Sequence, residues 1–163
     1  MIRVQRCEST SPDRTGWCGI SHGDSMLSSI LLMAWPHQNQ VLTSFRLATD
    51  YFMPDVFAGN ATVTQIRSNV TSTGYELVYH CANCFQPEDA DGVYGVHTTR
   101  GLLVLGHAQA FDAPDNAGCP AQISFLYHNN GYGMWSAPLD GVASPSYARW
   151  AATPGRVVAG SCP

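Results

Sequence analysis

Apolar positions fall along this chain in short runs and alternations, separated by Gly, Pro, Asn and Asp. Trp17-Cys18-Gly19-Ile20 predicts a short strand that ends in the Gly23-Asp24 turn. Ile30-Leu31-Leu32-Met33-Ala34-Trp35 is the longest unbroken apolar run. It lies in a strand expected over about 27–36, stopping at Pro36, and a run of this kind predicts a strand buried on both faces. His37 to Gln40 reads as a turn and Val41 to Leu47 as the return strand of a hairpin. Asp50 to Gly59 reads as a loop. Ala61 to Ile66 and Tyr75 to Cys81 alternate as half-buried strands do, and Cys84 to Gly92 reads as a polar loop. Gly101 to Ala108 is a second buried strand, Asp112 to Pro120 is rich in turn residues, and Ile123 to His128 is a short strand. Ser144 and Pro145 stand where an N-cap and a first helical residue would, which predicts a short helix over Pro145 to Ala152. Residues 1–16 are polar, carry Pro12 and Gly16, and read as irregular.

Six or seven short strands at this spacing predict an all-β fold, an antiparallel sandwich or barrel. A parallel α/β fold would need long amphipathic helices between the strands, and the pattern supplies none. The expected organisation is an irregular segment 1–16, a β-sandwich domain 17–153 and a C-terminal tail 154–163.

Composition narrows the function. A chain of 163 residues suits one domain, and 45% hydrophobic content is enough for a core. The eight basic residues are all Arg, and the net charge is −4. No basic patch is available to neutralise phosphates, which argues against nucleic acid as a partner. With no Lys, Schiff-base chemistry is excluded. No apolar run is long enough to span a bilayer. Six Cys and two N-x-[ST] sequons, at Asn60 and Asn69, favour a secreted, disulfide-bearing glycoprotein. Met1 to Arg6 lacks the apolar region of a signal peptide.

Chemistry-bearing residues are few. Met26 stands among small polar residues at the mouth of the 27–36 strand, where a thioether either fills a gap in the core or holds a soft metal centre. Cys81-Ala82-Asn83-Cys84 admits three readings. A c-type haem site needs His after the second Cys, but Phe85 follows; a zinc site needs a second ligand pair at similar spacing; a disulfide clamping a strand end fits an oxidised protein best. Cys7, Cys18, Cys119 and Cys162 can form two more bridges that sequence cannot pair. His128 is followed by Asn129-Asn130-Gly131-Tyr132-Gly133-Met134-Trp135, a loop-like stretch punctuated by glycine. Aromatics beside an imidazole, with glycines allowing close backbone approach, suit a flat apolar cofactor; an aromatic cluster under a loop is the other reading. No G-x-S-x-G elbow marks a hydrolase, and no acidic pair stands out.

Several landmarks in order resemble one family. Trp17-x-Gly19-Ile20 is followed by Gly23-Asp24-Ser25-Met26, then by Leu31 to Trp35, Arg46-Leu47-Ala48-Thr49-Asp50-Tyr51, Gly59 to Thr64, Cys81-x-x-Cys84 and His128 to Gly133. The set, covering about 17–150, resembles the haem-binding cytochrome domain of fungal cellobiose dehydrogenases and related iron-reductase-type domains. The resemblance implies an immunoglobulin-like antiparallel β-sandwich with a b-type haem at one end. It implies Met26 and His128 as the iron's axial ligands, and Trp35, Tyr51 and Tyr132 as cofactor-binding residues. It implies a Cys81–Cys84 disulfide. Several strands precede the Trp-x-Gly-Ile element in that family and only 16 residues do here, so the sandwich is expected to lack some N-terminal strands. Met/His ligation leaves iron no open position and raises its potential. That implies an extracellular electron-transfer domain with no turnover of its own. A flavin dehydrogenase is the implied donor, and a copper-dependent lytic polysaccharide monooxygenase or ferric iron the acceptor. A non-redox β-sandwich module that binds a ligand or carbohydrate is the alternative.

Overall fold

The computed structural model describes residues 2–8, 16–95, 98–99, 101–138 and 145–163, with side chains for 16–95, 101–138 and 145–163. Twelve strands and one helix follow in order among them: β1 Ile2–Glu8, β2 Cys18–Ser21, β3 Ile30–His37, β4 Gln40–Leu47, β5 Asp55–Val56, β6 Thr62–Val70, β7 Gly74–Ala82, β8 Glu88–Asp89, β9 Gly92–Val93, β10 Thr98–Thr99, β11 Leu102–Gln109, β12 Tyr132–Pro138 and α1 Tyr147–Ala151. Two antiparallel sheets form a sandwich. The larger runs β10-β11-β2-β3-β4-β5, with β12 paired to β11; the smaller runs β1-β7-β6. The all-β architecture expected from the pattern is the one observed.

The apolar run of β3 serves both faces of the larger sheet. Ile30, Leu32 and Ala34 point inward and pack with Val41, Tyr75, Leu77, Tyr79 and Cys81 in the core between the sheets. Leu31, Met33 and Trp35 point outward into a second cluster with Trp17, Leu42, Ala48, Ala110 and Ile123. Tyr75 ties the sheets together. From β7 its hydroxyl donates to the Ala34 carbonyl (2.5 Å) and accepts from the Cys18 amide (3.2 Å). Burial holds this phenol neutral, its pKa raised far above the usual tyrosine value. The β3–β4 hairpin turns through Gln38 and Asn39, both left-handed at φ 47° and 64°, as a two-residue loop with right-handed strand twist requires.

Several elements differ from the sequence expectation. Residues 2–8 were expected to be irregular, yet their backbone pairs with β7 from Ile2↔His80 to Glu8↔Gly74. The pairing covers what would be an open edge of β7. Ile123 to His128 is not a strand; its β-pairing among the described residues is the isolated Asp115↔Ser124 bridge. The strand lies just after it, at β12, where glycines and polar residues suggested a loop. Backbone pairing along β11 decides this: Ala108↔Tyr132 through Leu102↔Pro138 complete a full ladder. The loop expected over Asp50–Gly59 contains β5, and the polar Cys84–Gly92 loop contributes to the β8–β9 hairpin. The β3 strand starts at Ile30 and runs through Pro36 to His37. The helix begins two residues later than expected, with Ser146 at its N-cap and no side-chain capping bond; Ser144 lies outside the described residues.

Residues 154–163 are bound to the sandwich. Arg156 and Gln65 exchange backbone hydrogen bonds (2.8 and 2.9 Å), Ser161 donates to Gly118, and Cys162 is bridged to Cys119. Cys18 is also in a disulfide; the Cys7 side chain, its partner in the bridge considered from sequence, lies outside the described residues. Among the described residues no helix is long and apolar enough to cross a membrane.

Candidate functional site

A cavity of about 650 Å³ opens over the outer face of the larger sheet, a size typical of cofactor sites. It lies on that face, not at an end of the sandwich. Two cross-strand rows make its floor. One row is Met33, Gly19, Ala108 and Tyr132; the next is Leu31, Ser21, Gly106 and Met134. The rows are two residues apart, so they share a face at a spacing of about 7 Å. In these two rows the middle strands, β2 and β11, contribute only glycine, serine and alanine; Ile20 and His107 of the same strands also reach the cavity. These small residues sink the centre of the floor and leave room for a flat ligand. Gly19 keeps the floor low there: a Cβ would stand 3.0 Å from the Met33 Sδ, at the end of a flexible side chain.

Met26 stands on the wall, in the loop between β2 and β3. That loop is fastened on both sides of it. The Ser21 hydroxyl donates to the Ser25 carbonyl (2.6 Å), the Leu27 amide donates to Ser25 Oγ (3.1 Å), and the Ser28 amide donates to the Ala48 carbonyl (2.9 Å). Ser28 takes a left-handed turn, φ 57°, to re-enter the sheet.

His128 stands on the wall in the segment leading into β12. The Asn129 side chain accepts from the Phe111 amide (3.0 Å) and donates to Asp112 (2.6 Å), while Asn130 and Gly131 exchange backbone bonds with Gln109. Gly131 makes the tight turn at φ 96°. Tyr127 and Tyr132 flank the imidazole, with ring centroids at 4.1 and 4.8 Å.

Strand direction sets how these two loops face each other. Each neighbour along β3, β2, β11 and β12 is antiparallel to the last, so β12 runs opposite to β3. Met26 precedes the start of β3 and His128 precedes the start of β12. The two residues therefore approach from opposite ends of the sheet, with the small-residue floor between.

The other sequence-predicted residues divide. Tyr51 and Tyr132 line the cavity mouth and are largely exposed. Trp35 is fully buried and does not join the lining. It donates its indole N–H to the Ala117 carbonyl (2.8 Å) and packs edge-on against Phe125, which does line the cavity. Trp35 thus supports the wall from behind. Sequence reasoning missed Phe125, Met33, Met53 and Met134 on the lining; the period-two alternation of β3 and the register of β12 are the signals that find them.

Two buried polar atoms on this wall, Trp17 Nε1 and His128 Nδ1, have no hydrogen-bond partner among the described residues. Orphaned groups of this kind are rare in folded proteins because each carries a desolvation penalty. An indole N–H can only donate, and an imidazole nitrogen can accept a proton or a metal.

A second cluster lies elsewhere. His22, Cys81 and Cys84 bring their donor atoms within 4.8 Å of one another, but both sulfurs are joined in the disulfide expected from sequence. They close the end of β7, with Asn83 left-handed at φ 59° between them.

Comparison with known proteins decides the family. A family model described as the cytochrome domain of cellobiose dehydrogenase matches residues 1–149. The chain belongs to that family. The cytochrome domain of Myriococcum thermophilum cellobiose dehydrogenase superposes with a TM-score of 0.85 at 46% identity, over 96% of this chain and 76% of that one. The cytochrome b domain of pyranose dehydrogenase from Coprinopsis cinerea shares the fold, with a TM-score of 0.72 at 24% identity, over 98% of this chain and 78% of that one. The cofactor of this cytochrome domain is a b-type haem, and its role is electron transfer. The cavity fits such a group. Its floor is flat, its lining is mostly apolar, it carries an imidazole and a thioether on facing loops, and it holds a free indole donor.

Proposed function

We propose that this cytochrome domain relays single electrons from a flavin dehydrogenase to a copper polysaccharide monooxygenase or to ferric iron, outside the cell. The observation that carries the reading is the placement of Met26 and His128 on facing loops of one cavity, in a chain of this family. Haem, when bound, supplies the one-electron couple. His128 and Met26 would hold its iron, and an imidazole with a neutral thioether would favour the reduced state. Tyr51, at the mouth, would donate its hydroxyl to a carboxylate of the bound group. Tyr132 would pack beside that group, and Phe125, backed by Trp35, closes the apolar wall against water. The floor of Gly19, Gly106 and Ala108 lets the ring lie against the sheet.

Six Cys, with no free one among the described residues, and two exposed sequon asparagines support a secreted glycoprotein with glycans at Asn60 and Asn69. Asn60 is held in place: its Oδ1 accepts from the Glu88 amide (2.9 Å). The test is reconstitution with haem b followed by mixing with a reduced flavin dehydrogenase. The expected result is a low-spin six-coordinate spectrum and reduction of the haem within one encounter. A chain that takes up no haem but binds cellulose or another glycan would overturn this reading in favour of a carbohydrate-binding module.

A further inference from the structure

The stretch that ends in Tyr51 begins with a buried cation. Arg46 is 4% exposed and projects from the outer face of β4, opposite Leu31. Its guanidinium donates only to uncharged acceptors. Nε reaches Ser44 Oγ (3.1 Å); one terminal nitrogen reaches the Pro54 carbonyl (3.4 Å), and the other the carbonyls of Pro120 (2.8 Å) and Ile123 (3.3 Å). Pro54 closes the loop that carries Tyr51, Phe52 and Met53. Pro120 and Ile123 begin the segment that carries Phe125 and His128. One planar fork thus joins β4 to both segments, a geometry open to Arg and closed to Lys.

The same group sits close behind the cavity wall. Its central carbon lies 5.6 Å from the centroid of the Phe125 ring, whose other contacts are Trp17 and Trp35. Among the described residues the ion pair is Arg67–Glu76, on the other sheet. Among the described residues no carboxylate lies within ion-pair distance of Arg46; burial lowers its proton affinity and Asp55 offsets this only through space.

We propose that Arg46 is a positioning residue of the haem site: its guanidinium fixes the two segments bearing Tyr51 and His128, and its unpaired buried charge raises the potential of the haem. The proposal rests on the haem reading above. Oxidation of the iron adds one positive charge, and a fixed cation in a low-dielectric wall disfavours that charge.

The experiment uses the whole chain reconstituted with haem b, and compares wild type with Arg46→Met, Arg46→Lys and Tyr75→Phe. Midpoint potential and haem dissociation rate are read at acid pH, where a lysine keeps its proton. Haem uptake by the wild type tests the haem reading separately. Arg46→Met is expected to shift the ferric/ferrous ratio about tenfold toward ferric, about 59 mV for one electron, and to release haem several-fold faster. Arg46→Lys, which keeps the charge and loses the fork, is expected to release haem faster at near wild-type potential. Tyr75→Phe, weakened in the core between the sheets and not on the cavity lining, is expected to change neither. If Arg46→Met does not fold, Asp55→Asn carries the charge test: removing the offsetting carboxylate raises the potential. An unchanged potential in the charge-altering variants, or a Lys variant that holds haem as the wild type does, overturns the proposal.

Discussion

The ring of Tyr132 stands edge-on to that of His128, centroids 4.8 Å apart at 62°. Tyr132 is the first residue of β12, paired with Ala108, so a rigid ladder position braces the imidazole. Aromatic contacts of this geometry contribute about 0.5–1.5 kcal/mol beyond their buried area. Tyr132→Ala is therefore expected to release haem several-fold faster, with Tyr132→Phe close to wild type. Haem transfer to apomyoglobin measures both.

Met26 and His128 are expected to behave asymmetrically. Met26→Leu keeps the apolar bulk on the wall and removes the thioether, so the haem stays bound with one axial position vacated. The expected outcome is a high-spin component in the absorbance spectrum and a lower midpoint potential, since a thioether raises the potential. His128→Ala removes the stronger donor and is expected to lose most haem on gel filtration. A low-spin spectrum unchanged by both substitutions would rule these residues out as ligands.

Gly19→Val tests the floor. The new Cβ meets the flexible end of Met33 at 3.0 Å, which can shift, and the methyl groups then stand where a flat ring would lie. Haem uptake is expected to fall at least tenfold, while the apoprotein still unfolds cooperatively by circular dichroism.

Tyr75→Phe tests the sandwich apart from the site. It strips a partner from the Cys18 amide and the Ala34 carbonyl, both buried. Leaving buried polar groups unsatisfied costs about 1–3 kcal/mol. The expected effect is a Tm lower by about 2–10 °C, with the haem spectrum unchanged.

The sequence by itself determined the all-β class, the double-faced burial of β3 and, through the family resemblance, the haem cofactor. Those depend on local pattern: unbroken apolar runs, alternation of period two, and a short ordered set of residue types that included Met26, Tyr51 and His128. Register was not legible. Tyr132 to Trp135 read as a loop because glycines and exposed aromatics hide an edge strand, whose partner β11 is contributed from some thirty residues earlier. Ile123 to His128 read as a strand because it is apolar, yet it spends that character on the cavity wall and finds no ladder. Cys119–Cys162 and the Arg46 fork join segments far apart in the chain, and nothing local encodes a distance. The floor of the proposed haem site is the clearest case: Ser21, Gly106 and Ala108 carry no signal in sequence, and only antiparallel pairing sets them beside Gly19 between Met26 and His128.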